Sequence, residues 1–140
     1  MAGLNKHAAK ATILVFLCAL ITPLRAQTFT KDVVPIFQKS CVSCHREGTT
    51  APMSLMTYKD ARPWARAIKE RVLRRDMPPW HLDKTVGIRR YKNDISLNDR
   101  DIATIVKWVD AGAPEGDAAD MPKPPTFASE DEWFTGSLIF

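Results

Sequence analysis

Cys41-Val42-Ser43-Cys44-His45 is the motif on which the predicted fold and function of this chain depend. Cysteines at positions i and i+3 lie on one side of a helical turn, so both sulfurs can reach the two vinyl groups along one edge of a haem. The histidine that follows can then ligate the iron as the proximal ligand. The pattern predicts one covalently attached haem c, with Cys41 and Cys44 as its attachment points and His45 as a metal ligand.

Three other chemistries use a Cys-x-x-Cys pair. A thioredoxin-like redox pair is expected inside a βαβ unit, and no strand-rich pattern surrounds this one. A structural zinc site needs four ligands, whereas the chain after its leader has no second cysteine pair. A plain disulfide between Cys41 and Cys44 remains an alternative, because the expected compartment is oxidising.

Residues 1–26 have the pattern of a secretory signal peptide. Lys6 and Lys10 form a basic start, residues 11–20 form a short apolar run that contains Cys18, and Ala26 is a small residue suited to cleavage. The run is too short for a comfortable membrane span. We therefore expect a periplasmic or secreted protein, which associates with a membrane only if the leader stays uncleaved.

The remaining length predicts one small domain over residues 27–118, followed by a Pro-rich tail or truncated linker over 119–140. The net charge of +4 falls to about +1 without the three basic residues of the leader, which removes the main support for nucleic-acid binding. The charge is unevenly distributed: residues 57–92 carry a net charge of about +7 and residues 93–132 about −7. Such a dipole can steer encounters with a charged partner.

Apolar residues at helical spacing predict an all-α fold with helices over 30–44, 57–75 and 96–112. The expected N-caps are Thr30, Thr57 and Ser96, and the last helix is expected to end at Gly112. Pro63 predicts a kink or a restart. Two tryptophans are expected to be buried: Trp108 across the first helix, and Trp64 in the core or against the cofactor.

Met77 is the predicted second axial ligand. Pro78 and Pro79 stop the preceding helix and force a stiff, extended segment directly after it. A thioether is a soft, neutral donor that raises the reduction potential of haem iron. His81 would instead give bis-histidine ligation and a lower potential, while Met53 and Met56 lie nearer the cysteines; Met77 could also merely fill the core.

Two loops complete the prediction. Residues 46–55 form a loop in which the carbonyl of Pro52 is the expected acceptor for the second ring nitrogen of His45. Residues 82–95 form a second loop with a basic cluster, Arg89, Arg90 and Lys92. That cluster is either a solvated surface or a docking edge for an acidic redox partner.

The motifs together resemble class I monohaem cytochrome c domains, and more closely the bacterial secreted cytochrome c-like domains that often stand at the front of longer chains. The resemblance covers roughly residues 28–118 and is carried by residues 32–37, 41–45, 51–55, 61–64, 77–81 and 108–114. It implies a bundle of three to four helices around one haem, with a Pro-rich C-terminal arm. It also implies thioethers at Cys41 and Cys44, His45 as proximal ligand and Met77 as distal ligand.

The function expected from these residues is single-electron transfer. No nucleophile–base pair and no open metal site is evident, so an enzyme is not expected. The alternatives are a haem domain of a larger redox enzyme and a gas-binding haem sensor with a displaceable sixth ligand. Related chains usually continue past the Pro-rich segment, whereas this one stops at Phe140.

Overall fold

The computed structural model describes residues 26–80, 82–87 and 91–127. Within these ranges the regular structure is helical and no strand occurs, which confirms the all-α prediction for this part of the chain. The elements are a π-helical turn Phe29–Val33, α1 (Val34–Ser40), α2 (Tyr58–Ala61), a 3₁₀ turn Arg62–Trp64, α3 (Ala65–Leu73), α4 (Asp99–Asp110) and a 3₁₀ turn Ala118–Asp120. Among them, none is long and apolar enough to cross a membrane. The leader prediction rests on residues 1–25, outside the described ranges.

The first helix starts and stops earlier than expected. Its π-helical turn follows Thr28, whose backbone N–H donates to a carboxylate oxygen of Asp32 at 2.7 Å. The predicted cap Thr30 is wrong, because this residue is buried inside the turn. Pro35 lies in the first turn of α1, where its missing N–H is tolerated. Since α1 ends at Ser40, the two cysteines lie in the turn after the helix and not on it.

The second helical stretch is interrupted at Pro63, as predicted. The Thr57 cap is confirmed, since its hydroxyl oxygen accepts from the backbone N–H of Asp60 at 3.2 Å. The prediction that Trp64 lies in the core is wrong, because this residue is 43% exposed, while its alternative position against the cofactor stays a prediction. The 3₁₀ turn Arg62–Trp64 separates α2 from α3, while Ala61 and Ala65 on either side of it are buried.

The last long helix, α4, begins at Asp99 rather than near Ser96. Its cap is Asn98, whose side-chain oxygen accepts from the backbone N–H of Asp101 at 2.8 Å. Ser96 is held outside the helix because its own N–H donates to Asp94. The predicted end at Gly112 is confirmed by its φ of +89°, a left-handed conformation that favours glycine.

An aromatic cluster joins the first helix to α4. The fully buried Trp108 lies 5.9 Å from Phe29 and 6.4 Å from Phe37 between ring centroids, and Tyr58 lies 5.5 Å from Phe29. The prediction that Trp108 packs across the first helix is therefore confirmed. Edge-to-face geometry at these distances adds to the free energy gained from burial.

Backbone carbonyl groups of the segment after α4 accept hydrogen bonds from residues of this aromatic cluster. The Pro114 carbonyl accepts from the Trp108 indole N–H and from the Phe29 backbone N–H, both at 3.0 Å. The Ala113 carbonyl accepts from the Tyr58 hydroxyl at 3.0 Å. Every one of these donors comes from a different part of the chain, so the segment after α4 belongs to the domain.

Gly116 allows the closest approach of this segment to the first helix. A Cβ at this position would lie 2.5 Å from the Thr30 hydroxyl oxygen and 2.7 Å from the Thr28 Cβ. Its φ of +94° is also in the left-handed region. The neighbouring Glu115 carbonyl accepts from the Thr30 N–H at 2.9 Å, which holds the two segments together.

Candidate functional site

The cysteine turn, residues 41–45, continues directly from α1. The Cys41 N–H donates to the Phe37 carbonyl at 2.8 Å, so the turn starts on the last hydrogen bond of the helix. The N–H groups of Cys44 and His45 then both donate to the Cys41 carbonyl, at 3.1 and 2.9 Å. The expected juxtaposition of Cys41, Cys44 and His45 is thus formed within one tight turn.

The two cysteines have unlike surroundings. Cys41 is half-buried and packs against the hydrophobic core, whereas Cys44 is exposed, and both are unpaired within the described part of the chain. Burial, and secondly the neighbouring Cys44, raise the pKa of the Cys41 thiol to about 12. Cys41 is therefore a neutral thiol near pH 7. The nucleophile of a thioredoxin-like pair has instead a lowered pKa.

The ring of His45 is oriented by the backbone of the following loop. Its Nδ1 lies 3.2 Å from the Met53 carbonyl oxygen. Because a carbonyl can only accept, this bond requires the proton on Nδ1, and in a neutral imidazole the lone pair then belongs to Nε2. The predicted acceptor, Pro52, is wrong by one residue: the Leu55 N–H donates to the His45 carbonyl at 2.9 Å and sets the register that brings Met53 to the ring.

Thr49 closes the loop behind the cysteine turn, and sequence reasoning missed it. Its hydroxyl lies 2.5 Å from the Cys44 carbonyl oxygen and 2.6 Å from that of Arg46. The Ala51 N–H also donates to the Cys44 carbonyl, at 3.3 Å. A threonine in a loop has no sequence signal that separates this contact from an exposed position.

The immediate surroundings of Met77 do not include the cysteine turn. Its side chain is 41% exposed and lines a cavity of about 310 Å³ between the ends of α3 and α4. The buried apolar side chains that line this cavity are Val72, Leu97 and Ile102. Cys41, Cys44 and His45 are not among its lining residues.

The rival ligands are placed as follows. Met53 and Met56 are half-buried and pack against the core. Met53 contacts His45 through its backbone carbonyl. His81 lies outside the described residues.

Trp80 is the cavity residue that sequence reasoning did not single out. Its indole Nε1 is buried and has no hydrogen-bond partner among the described residues. A buried donor without an acceptor costs about 1–3 kcal/mol.

Cations and carboxylates are paired around the same cavity. Lys84 forms an ion pair with Asp94, and Arg75 forms one with Asp99. The hydrogen bond from Lys84, and then that from Ser96, lowers the pKa of Asp94 to about 2. Of the predicted basic cluster, Lys92 is exposed, while Arg89 and Arg90 fall outside the described residues.

The described residues contain no group of three or more His, Cys, Asp or Glu side chains that could hold a metal ion. The zinc alternative therefore has no four-ligand site in that part of the chain. The chain matches no protein-family model, no curated protein and no solved structure. The residues of the cysteine turn and of the Met77 cavity are therefore the basis for inferring its function.

Proposed function

We propose that this protein is an exported single-electron carrier with one covalently attached haem c. The observation that carries the proposal is the bond between His45 Nδ1 and the Met53 carbonyl, because it leaves Nε2 as a neutral metal donor. The same turn presents two unpaired thiols at the spacing that two thioethers require. These residues fit the cofactor that the resemblance to cytochrome c domains implies.

Each residue of the turn would have a distinct part in holding this cofactor. Cys41 and Cys44 would attach it covalently, and His45 would ligate the iron. The bound haem supplies reversible one-electron chemistry. The Met53 carbonyl keeps the imidazole in one tautomer and orientation, so that it need not reorganise when the charge of the site changes.

In this proposal Met77 would be the second residue that holds the iron. It follows a segment that is anchored to the end of α3: the Asp76 N–H donates to the Arg71 carbonyl at 3.0 Å. The Asp76 carboxylate also pairs with Arg71 and Arg74, at 3.1 and 3.0 Å. Anchoring the preceding residue lowers the entropy lost when the thioether binds a metal.

The covalent cofactor is tested by a haem-stained denaturing gel and by absorption spectra in both oxidation states, on protein exported by a host that matures c-type cytochromes. We expect stain that stays with the polypeptide. The Cys41→Ser/Cys44→Ser double variant is the matched control and should lose it. Colourless wild-type protein, with free or mutually bonded thiols at these positions, contradicts the proposal.

Met77→Ala tests the axial ligand in the loaded protein. Loss of the sulfur should abolish the far-red sulfur-to-iron charge-transfer band of the oxidised form. Met53→Ala is the control, because Met53 orients His45 through its backbone carbonyl, which the substitution retains. If the band persists in Met77→Ala, another residue holds the sixth position.

A second candidate function is the binding of a small exogenous ligand at a displaceable sixth position. The 41% exposure of Met77 and the adjacent cavity of about 310 Å³ favour it, because an incoming molecule has both access and space. Carbon monoxide separates the two functions. Rapid, stoichiometric binding to the reduced protein at neutral pH supports a sensor, whereas inertness supports the carrier.

The partner that we propose is an acidic redox protein, met through the basic residues Arg89, Arg90 and Lys92. Neutralising these three should slow electron transfer to such a partner mainly at low ionic strength, because salt screens exposed charges. Stopped-flow rates over a range of salt concentrations test this. An unchanged salt dependence would remove the docking role of these residues.

A further inference from the structure

The C-terminal arm reaches back to the cysteine turn. Residues 121–127, called the strap below, follow the 3₁₀ turn Ala118–Asp120 and form no helix or strand. The Lys123 carbonyl accepts from the Gln38 side-chain amide on α1 at 3.0 Å. At the end of the strap, the Phe127 ring lies 4.1 Å from the guanidinium carbon of Arg46. The strap therefore covers the residue that directly follows His45.

The Arg46 side chain stabilises the cysteine turn through hydrogen bonds to its backbone. Its Nη1 donates to the carbonyl of Ser43 and to that of Val42, the latter at 3.4 Å. These are the two residues between the cysteines. Arg46 is half-buried and takes part in none of the ion pairs within the described residues. Its positive charge thus lies beside the turn without a carboxylate to neutralise it there.

The Arg46 guanidinium contacts the Phe127 ring and the carbonyls of Val42 and Ser43, and these contacts leave it little freedom to move. The cation–π contact favours the charged group over the ring face, and the two charge-assisted hydrogen bonds favour it over the turn. Removing either contact lets the side chain swing into solvent. The carbonyls of Val42 and Ser43 then lose a shared donor, and the turn can open more often.

We propose that the strap positions the cysteine turn through Phe127 and Arg46, and that Arg46 fixes a positive charge beside the proximal histidine. Arg46 is thus a positioning residue for the group held by Cys41, Cys44 and His45. The mechanical part of this inference stands without a cofactor, whereas its electrostatic part rests on the proposed function. A fixed cation next to the site favours the less positive, reduced state of a bound iron.

Hydrogen exchange on the full chain tests the mechanical part. The N–H groups of Cys44 and His45 both donate to the Cys41 carbonyl, so they report on opening of the turn. Phe127→Leu keeps an apolar side chain but removes the π face, and we expect exchange about two- to fivefold faster at these amides. Phe127→Tyr, which keeps the ring face, should restore the wild-type rate. Equal rates in the leucine variant and the wild type would overturn the strap.

Two substitutions of Arg46 separate charge from geometry. Arg46→Lys keeps the charge but loses the planar guanidinium that lies over the Phe127 ring, so it should speed exchange and leave the midpoint potential near the wild-type value. Arg46→Ala should also speed exchange. At a fixed applied potential it should lower the ratio of reduced to oxidised protein by about two- to tenfold. An unchanged potential in Arg46→Ala would contradict the electrostatic part.

The failure of this inference can be told apart from failure of the proposed function. A wild-type protein without covalent haem overturns the proposed function, but the exchange comparison between Phe127→Leu and Phe127→Tyr still decides whether the strap acts on the turn. A haem-loaded protein in which neither exchange nor potential responds to Arg46 and Phe127 overturns the strap alone.

Discussion

The part of the domain around Trp108, called the closed side, and the part around Trp80 and the Met77 cavity, called the open side, differ in whether a buried indole N–H has a partner. At the closed side, the buried Trp108 donates its indole N–H to the Pro114 carbonyl at 3.0 Å. At the open side, the Trp80 indole N–H is equally removed from solvent but has no partner among the described residues. On the closed side, a backbone carbonyl of the same chain satisfies the indole N–H. The open side, next to Met77 and the cavity, leaves its buried indole N–H without a partner among the described residues.

The difference has a topological cause. The closed side collects segments that are far apart in sequence, and the carbonyls after α4 are positioned to accept from all of them. The open side is built mainly from one Pro-rich stretch and a loop, whose residues Leu82 and Val86 stay exposed. Pro78 and Pro79 have no N–H to donate, and hydrogen bonds among the described residues of this side include the side-chain bonds from Lys84 to Asp94 and Ser96.

Trp108→Ala should produce the largest change in stability. It removes a fully buried ring from contact with Phe29 and Phe37 and takes away one of the two donors to the Pro114 carbonyl, so we expect the free energy of unfolding to fall by about 3–5 kcal/mol. Leu82→Ala on the open side is the comparison, and should cost less than about 1 kcal/mol because Leu82 is 41% exposed. Urea unfolding measures both. Similar losses would mean that the two sides do not differ as described.

Gly116→Ala should give a smaller but clear loss. The new methyl group would meet Thr28 and Thr30, and the residue would also be forced to keep a positive φ. Gly112→Ala is the matched control, because Gly112 has a similar φ but no atom within 4 Å of the added Cβ. We expect the Gly112 variant to lose about 1 kcal/mol and the Gly116 variant about 1–3 kcal/mol more. Equal thermal midpoints would show that the contact with the first helix is loose.

Acid should affect the open side through Asp94. Its pKa is lowered to about 2 by the hydrogen bonds from Lys84 and Ser96, so its ionised form is favoured in the folded state. The stabilisation is present above about pH 4, the ordinary pKa of an aspartate, and is lost as the pH falls towards about 2. Carboxyl chemical shifts followed by NMR should show this titration, and Asp94→Asn should abolish it. A midpoint near 4 would mean that the Lys84 pair does not form in solution.

Local signals in the sequence were enough to predict that the helices exist but not where each one ends: the first helix was predicted over 30–44, whereas α1 ends at Ser40 and the cysteines follow it. Helical spacing and Pro63 predicted the restart between α2 and α3, and Gly112 marked the end of α4. The caps were less certain: Thr57 was predicted correctly, whereas Thr30 and Ser96 were wrong. Several polar residues near each start can cap a helix, and the choice depends on which neighbours are buried.

The contacts of the site depended on the loop and the arm. The register of the loop moved the His45 acceptor from Pro52 to Met53, and a single-residue shift of this kind has no sequence signature. Arg46 was invisible as a positioning residue because its partners include Phe127, which is 81 positions away in the chain. Pairs at such separation are brought together by the fold alone.

By itself the sequence determined which chemistry is available: two thiols and an imidazole in one turn, a thioether before two prolines, and apolar faces at helical spacing. These are local properties, since they follow from neighbouring residues and the geometry of a helical turn. Only the tertiary structure decided which carbonyl orients His45, which side of the domain is closed by Pro114, and that the strap lies over Arg46. Those contacts join distant segments, and the entropy of closing such long loops is recovered only when the whole core packs.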